Sequence, residues 1–322
     1  MDVVCFGELM IDMIADTPGP LSGAVSFTRF AGGAAANVAA QIRRLGGRPG
    51  FLGKLGADGF GDYLLGFLTE NGVDISAVVR DPCRRTTVAY ITLDARRQPA
   101  YLFYRQGGAC VNLRRDEIDA AYIRQAQVFY FSTLVLTEEP LRTAAHYAID
   151  IARRAGVLVA LDLNYRASAW PGAAAARVEI AHALHRVDVL KVNREELELL
   201  MGARPVWDNA SSMFAAYPAL RLVLLTDGES GSWIFRRDGE PLRMVGSGRC
   251  RPVDTTGAGD SYMGAFLYAL VRRGLHTGTQ DLLAAGRAAT AAAEFTISAK
   301  GAIPAMPCAH DLDFDRMCTE YE

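Results

Sequence analysis

Six cysteines in 322 residues are too scattered to form a frame: Cys5, Cys83, Cys110, Cys250, Cys308 and Cys318 include no Cys-x-x-Cys pair. They read as reduced thiols of a cytosolic protein and not as a disulfide scaffold. Five histidines likewise lack zinc spacing; His182 and His185 sit three apart, with no third ligand beside them in the sequence. An excess of one charge is also missing. With 34 Lys and Arg against 36 Asp and Glu the net charge is −2, which gives no electrostatic footprint for nucleic acid or an anionic membrane. The arginine pairs at 43–44, 96–97, 153–154 and 272–273 are dispersed and read as solvated surface. No apolar run is long enough to span a bilayer. The opening run 1–15 is interrupted by Glu8 and Asp12 and is preceded by no basic residue, so it reads as a first strand entering a site and not as a signal peptide. Finally, no Gly-x-x-x-x-Gly-Lys-Ser/Thr occurs, which excludes the ordinary phosphate-loop kinase design.

What is present is the pattern of an α/β enzyme. Half the residues are apolar and 22% are charged, ordinary for a soluble enzyme. The length suits one large α/β domain with an appendage, or two small ones. Strand and helix patterns alternate. Residues 3–6 form an apolar strand ending at Gly7, and 34–45 have helical spacing and stop at Gly46-Gly47. Further strands are expected at 50–55, 128–131, 157–161, 187–192 and 222–226. Helices are expected at 60–71, 140–155, 195–201, 258–273 and 282–295. Continuous apolar strands between helices imply a parallel sheet covered on both faces. Two stretches break the rhythm: 11–30 and 86–104 alternate apolar and polar residues without a helix, and 87–93 with 100–104 read as a β-hairpin turning at 94–99. There is no internal repeat.

The most informative segment is Asp254-Thr255-Thr256-Gly257-Ala258-Gly259-Asp260-Ser261, a glycine-rich turn opening a helix. Small residues let the N–H groups of Gly257, Ala258 and Gly259 converge on an anion, and the helix N-terminus adds partial positive charge. A carboxylate at Asp260 does not bind that anion itself; it is placed to take a proton from whatever attacks it. The bland alternative is a helix cap worth about 1 kcal/mol.

Together with Ala31-Gly32-Gly33-Ala34-Ala35-Ala36-Asn37-Val38-Ala39, that segment resembles the paired signatures of the ribokinase-like sugar kinases. The family includes fructokinase, ribokinase, adenosine kinase and ketodeoxygluconate kinase. The resemblance runs from Gly7-Glu8 to Pro304. It implies a three-layer α/β/α sandwich with a mostly parallel central sheet, one domain over 1–322. A small β-strand lid, from about 11–30 and 86–105, would close over the sugar and pair with a second subunit as a homodimer. It implies ATP as donor, Asp260 as general base and a cytoplasmic setting. Asn193-Arg194-Glu195-Glu196 matches the family's Asn-x-x-Glu motif, in which Asn193 and Glu196 organise Mg2+ through water; read alone, the same residues are a capping box. Lys191 is placed to reach the nucleotide phosphates. Thr226, Gly228 and Gly231 match a Thr-x-Gly-x-x-Gly loop that lines the nucleotide, and Thr256 lies beside the phosphate turn. The glycines of 56–61 read as a turn near the sugar side, without a dinucleotide fingerprint.

On the acceptor side, the family places an acid where Asp12 stands. Gly32 and Gly33 allow close approach of a polyol, and Asn37 offers a donor and an acceptor. Resemblance sets Tyr104, Arg105, Glu138 and Arg166 near the sugar; in ketodeoxygluconate kinases similar arginines hold a carboxylate. Phe103-Tyr104-Arg105 and the stretch 132–140 are closer in style to fructokinase. Fructose is therefore the first expectation, followed by 2-keto-3-deoxygluconate, ribose and a nucleoside. The rival of another class is a sugar- or nucleotide-binding regulator without turnover. Lys300-Gly301-Ala302 with Pro304 is similar to the family's closing loop, where backbone oxygens hold K+; activation by that ion is left open.

Overall fold

The computed structural model describes residues 1–93, 99–248 and 250–319; the hairpin turn expected at 94–99, with Arg96 and Arg97, falls at 94–98 outside them. In chain order the strands are β1 Val3–Phe6, β2 Met10–Ala15, β3 Phe27–Gly32, β4 Pro49–Gly56, β5 Asp74–Asp81, β6 Val88–Leu93 and β7 Pro99–Tyr104. Then follow β8 Val128–Ser132, β9 Leu158–Asp162, β10 Val189–Asn193, β11 Leu222–Thr226, β12 Ser232–Arg236 and β13 Leu242–Met244. Nine of these form one sheet in the order β13-β12-β11-β10-β9-β8-β1-β4-β5. Every neighbouring pair is parallel except those made by β12, which runs antiparallel to β11 and β13.

Alternation along β1 explains why the strands read as unbroken apolar runs. Val3 and Cys5 join a core with the helices Ala34–Arg44, Gly59–Glu70, Ala258–Arg272 and Thr279–Thr296. Val4 and Phe6 point the other way, into a core with Leu141–Arg154, Ala173–Leu184 and Val206–Ala216. Both faces are therefore dry, and neither tolerates a polar alternate residue. The edges escape this rule. β5 carries half-buried residues and lacks the apolar run that marks the inner strands, and β13 is only three residues long, so neither is expected from the sequence.

The other four strands form a separate sheet in the order β3-β2-β6-β7. β2 pairs antiparallel with β3 and parallel with β6, which turns back along β7. Among the described residues no helix is long and apolar enough to cross a membrane.

The helix Ala258–Arg272, with Asp260 in its first turn, packs on Ala34–Arg44 and on Thr279–Thr296. A Cβ at Gly264 would stand 2.8 Å from Gln41 Cβ and 3.0 Å from the Val38 carbonyl, so only glycine permits this approach. The seam is then fixed by a buried chain in which Thr296 Oγ1 donates to Ser261 Oγ at 2.8 Å and Ser261 Oγ donates to Gln41 Oε1 at 2.9 Å.

Candidate active site

A cavity of about 490 Å³ opens at the carboxyl ends of β9, β10 and β11, against the N-terminus of Ala258–Arg272. Parallel strands end there together, so their terminal side chains and the following helix N-termini converge on one crevice. Of the residues singled out in the sequence, Gly257, Gly259, Asp260, Lys191, Asn193, Glu196, Thr226, Thr256 and Arg166 lie on its wall.

Gly257 stands just before the helix with φ 80°, and a Cβ there would meet Ala302 Cβ at 2.6 Å. The left-handed backbone and the close approach both demand glycine. Ala258 is not on the wall; its N–H closes a turn onto the Thr255 carbonyl at 3.3 Å. Gly259 sits so near Lys191 that a Cβ would be 2.8 Å from the ammonium nitrogen. A helix N-terminus and a buried lysine thus face the same space, as an anion requires.

Asp260 points into the cavity and accepts a hydrogen bond from Asn37 Nδ2 at 2.8 Å. The other side of that amide, Asn37 Oδ1, is buried without a hydrogen-bond partner. Burial raises the Asp260 carboxyl above the usual carboxylate range, although the Asn37 bond, Lys191 and Arg166 pull it down. Asp12 on β2 is close enough that burial and then the charge of Asp260 push it up to about 7. Gly32, diagonal to it across β2 and β3, leaves the room its carboxyl fills: a Cβ there would be 1.9 Å from Asp12 Oδ2. Gly33, at φ 108°, packs on the Glu8 carbonyl, which a Cβ would strike at 2.2 Å.

Lys191 is held by Asp162, with Nζ 3.0 Å from each carboxylate oxygen. Burial works against its charge, but Asp162 and then Glu196 and Asp260 outweigh burial and raise its pKa. Asp162 is not among the residues the sequence singles out. It ends β9 directly opposite Lys191 in the parallel register, so strand ends of opposite charge are the available signal. Tyr101, Asn164, Glu195 and Thr255 also line the cavity and are likewise absent from the sequence reading of the site.

Asn193 and Glu196 build the capping box in full. Asn193 Oδ1 accepts from Glu196 N at 2.8 Å, and Glu196 Oε2 accepts from Asn193 N at 2.8 Å. Glu196 Oε1 also accepts from Tyr165 N at 2.7 Å, tying this helix start to the loop after β9. Each carboxylate oxygen keeps one lone pair free, which suits a magnesium ion reached through water better than a direct ligand.

Gly228 and Gly231 lie off the wall. Gly231, at φ 90°, packs against β13, where a Cβ would be 2.1 Å from the Met244 carbonyl. The closing loop is pinned to the glycine turn through Asp254, whose carboxylate accepts from Thr256 N at 2.9 Å and Gly301 N at 2.8 Å.

The small sheet meets the cavity differently from the sequence expectation. Alternation along β7 turns Tyr101 and Phe103, stacked at 5.6 Å, toward one face. Leu102 and Tyr104 take the other face and are 43% and 65% exposed. Tyr101 lines the cavity, with Arg166 Cζ 5.3 Å from its ring centroid. Tyr104 instead packs edge-on against Tyr90 at 5.6 Å. Arg105 is buried away from the wall. It bonds Glu8, Thr137 Oγ1 at 2.6 Å, Glu138 Oε1 at 2.8 Å and the Leu134 carbonyl at 3.0 Å. Two carboxylates share this one guanidinium, Glu8 buried beside it and Glu138 partly exposed, so its charge is taken up inside the protein.

Comparison with known proteins gives a consistent result. The model of the pfkB family carbohydrate kinases matches residues 1–309. A probable fructokinase-2 of Arabidopsis thaliana is 39% identical over 307 residues, covering 95% of this chain and 92% of that protein. A fructokinase of Xylella fastidiosa with bound ATP superposes with a TM-score of 0.88 at 28% identity, covering 99% and 98% of the two chains. A Vibrio cholerae fructokinase holding fructose, ADP and a calcium ion superposes with a TM-score of 0.86 at 27% identity, over 97% of each.

Proposed function

The chain belongs to the pfkB family of carbohydrate kinases, and from that premise we propose that it transfers the γ-phosphate of ATP to the primary hydroxyl of fructose. The observation that carries the reading is Asp260: a carboxyl turned into the cavity, one hydrogen bond from Asn37, beside Lys191 and the Gly257–Gly259 turn. Burial raises its affinity for a proton, which suits a base that must take one from an alcohol as the bond to phosphorus forms. Lys191 and the backbone N–H groups of Gly257 and Gly259 meet the charge that gathers on the moving phosphoryl group. Asp12, the open acceptor of Asn37 and the backbone at Gly32 and Gly33 receive the sugar hydroxyls. Asn193 and Glu196 would hold the waters of a bound Mg2+, which would offset the charge of the phosphates. Thr226 and Thr256 lie along the nucleotide side. The loop 300–304 and its tie to Asp254 suit a K+ site next to the glycine turn.

The Arg105 cluster favours a neutral sugar over 2-keto-3-deoxygluconate. A substrate carboxylate needs unspent positive charge, and Arg105 is already flanked by Glu8 and Glu138. We read the whole chain as one kinase unit whose small sheet acts as a lid, excluding water that competes as nucleophile. The outer face of that sheet, with Leu102 and Tyr104 exposed, suits pairing with a second copy.

The test is ADP release measured across fructose, 2-keto-3-deoxygluconate, ribose and adenosine. Fructose is expected to give the highest kcat/KM. Preference for the acid sugar would move the assignment within the family; bound ATP with no turnover on any sugar would favour the regulator.

A further inference from the structure

On the far side of one helix layer, His146 of Leu141–Arg154 meets Glu179 and His182 of Ala173–Leu184. One ligand atom from each lies within 4.8 Å of the other two. Glu179 and His182 are three apart and so share a helix face. His146 Nε2 is 3.7 Å from Glu179 Oε2, too far for a hydrogen bond yet near the separation of two ligands on one tetrahedral ion with bonds of about 2.0–2.1 Å. The two imidazole rings stand 4.6 Å apart between centroids.

His146 Nε2 is closed to solvent and has no hydrogen-bond partner. At the other nitrogen, Arg186 Nη2 lies 2.8 Å from Nδ1. Arginine only donates, so Nδ1 accepts and the neutral ring carries its proton on the orphaned Nε2.

We propose that His146, Glu179 and His182 bind one divalent ion of the zinc class, which clamps these two helices together and keeps a water in its fourth position. Two imidazoles and a carboxylate are donors suited to that ion. Binding uses the Nε2 lone pair, so the ring's proton moves to Nδ1 and Arg186 releases it. Arg186 keeps two other acceptors, Asp150 Oδ1 at 2.9 Å and the His182 carbonyl at 3.3 Å. Arg142 Nη1, 3.4 Å from Glu179 Oε1, retains Glu139 at 2.8 Å. The second candidate cluster, Cys308, His310 and Asp311, sits on a four-residue helix with His310 largely exposed and serves as the control.

The test titrates metal-stripped protein with Zn2+ by calorimetry, follows Co2+ by its visible absorption, and records Tm with and without Zn2+. The expected result is one ion per chain, a tetrahedral-type cobalt spectrum and a Tm raised by several degrees. All three signals should vanish in His146→Ala and in the conservative Glu179→Gln, and persist in His310→Ala. Arg186→Ala, which removes the competing N–H, should tighten binding. No zinc uptake by the unaltered protein, or undiminished uptake in Glu179→Gln, would overturn the proposal.

Discussion

The carboxyl ends of β9–β11 and the small sheet share one cavity but supply it with different chemistry. From the central sheet come charged, buried and interlocked groups: Lys191 clamped by Asp162, and Glu196 gripped by two backbone N–H groups. From the small sheet comes one aromatic wall, Tyr101, with Asp12 set behind it in the space left by Gly32 and close to Asp260. The first region sits on strands buried on both faces and has little freedom to move. The second hangs on a four-stranded sheet whose edge strand β7 exposes Leu102 and Tyr104. On the proposed reaction, transition-state stabilisation would fall to the rigid edge and recognition of the acceptor to the attached sheet. The two arginines, alike in sequence context, divide along that line. Arg166 faces the cavity, whereas Arg105 is spent inside the protein on Glu8 and Glu138.

Breaking the rigid edge should cost most. Asp260→Asn keeps the shape and the helix start but loses the base; kcat is expected to fall about 10³-fold with an unchanged circular dichroism spectrum. A drop in Tm with kcat retained would reduce Asp260 to a cap. Lys191→Met should lower kcat by about 10²-fold and, by leaving Asp162 buried without its partner, also lower Tm. Steady-state kinetics and thermal melts on the same sample separate the two effects.

Further from the chemistry, Gly264→Ala tests whether the helix seam sets the site. Its added methyl meets Gln41 and Val38, and should destabilise the fold by about 1–3 kcal/mol while loosening the Asn37–Asp260 contact. Denaturant titration checks the first part, and a kcat loss out of proportion to the lost stability checks the second. The smallest effects belong to the small sheet and should split by face. Tyr101→Ala is expected to raise KM for the sugar about tenfold, equivalent to ~1.4 kcal/mol, with kcat nearly intact. Tyr104→Ala should shift KM by less than about 0.5 kcal/mol and act instead on self-association, read by sedimentation. Equal effects from the two tyrosines would erase the distinction between the faces.

Much of the site is legible in the sequence because glycine and strand ends carry local information. The Gly257 turn, the Gly32-Gly33 pair and the Asn193–Glu196 box are each written within a few residues, and each stands where its local chemistry requires. Long-range pairings are not legible. Asn37 and Asp260 are 223 residues apart, joined by the close helix packing at Gly264 and the hydrogen-bond chain through Ser261 and Gln41. Asp162 faces Lys191 through a register that no local pattern fixes. Tyr101 and Tyr104 are readable in principle, since strand alternation separates them by parity, but choosing the inward face requires knowing where β7 docks. The helix Ala173–Leu184 is too rich in alanine to show a sided apolar stripe and is not among the helices expected from the sequence. That gap also conceals the meeting of His182 with His146.

The acid limb of the kcat–pH profile tests the central claim most directly. A base must be deprotonated to act, and burial raises the Asp260 pKa, so activity should be lost as pH falls through a midpoint above the ordinary carboxylate range of about 3.9–4.3. That limb should be present in the unaltered enzyme and absent from the residual activity of Asp260→Asn. An identical limb in both proteins, or none above the ordinary range, would contradict the account.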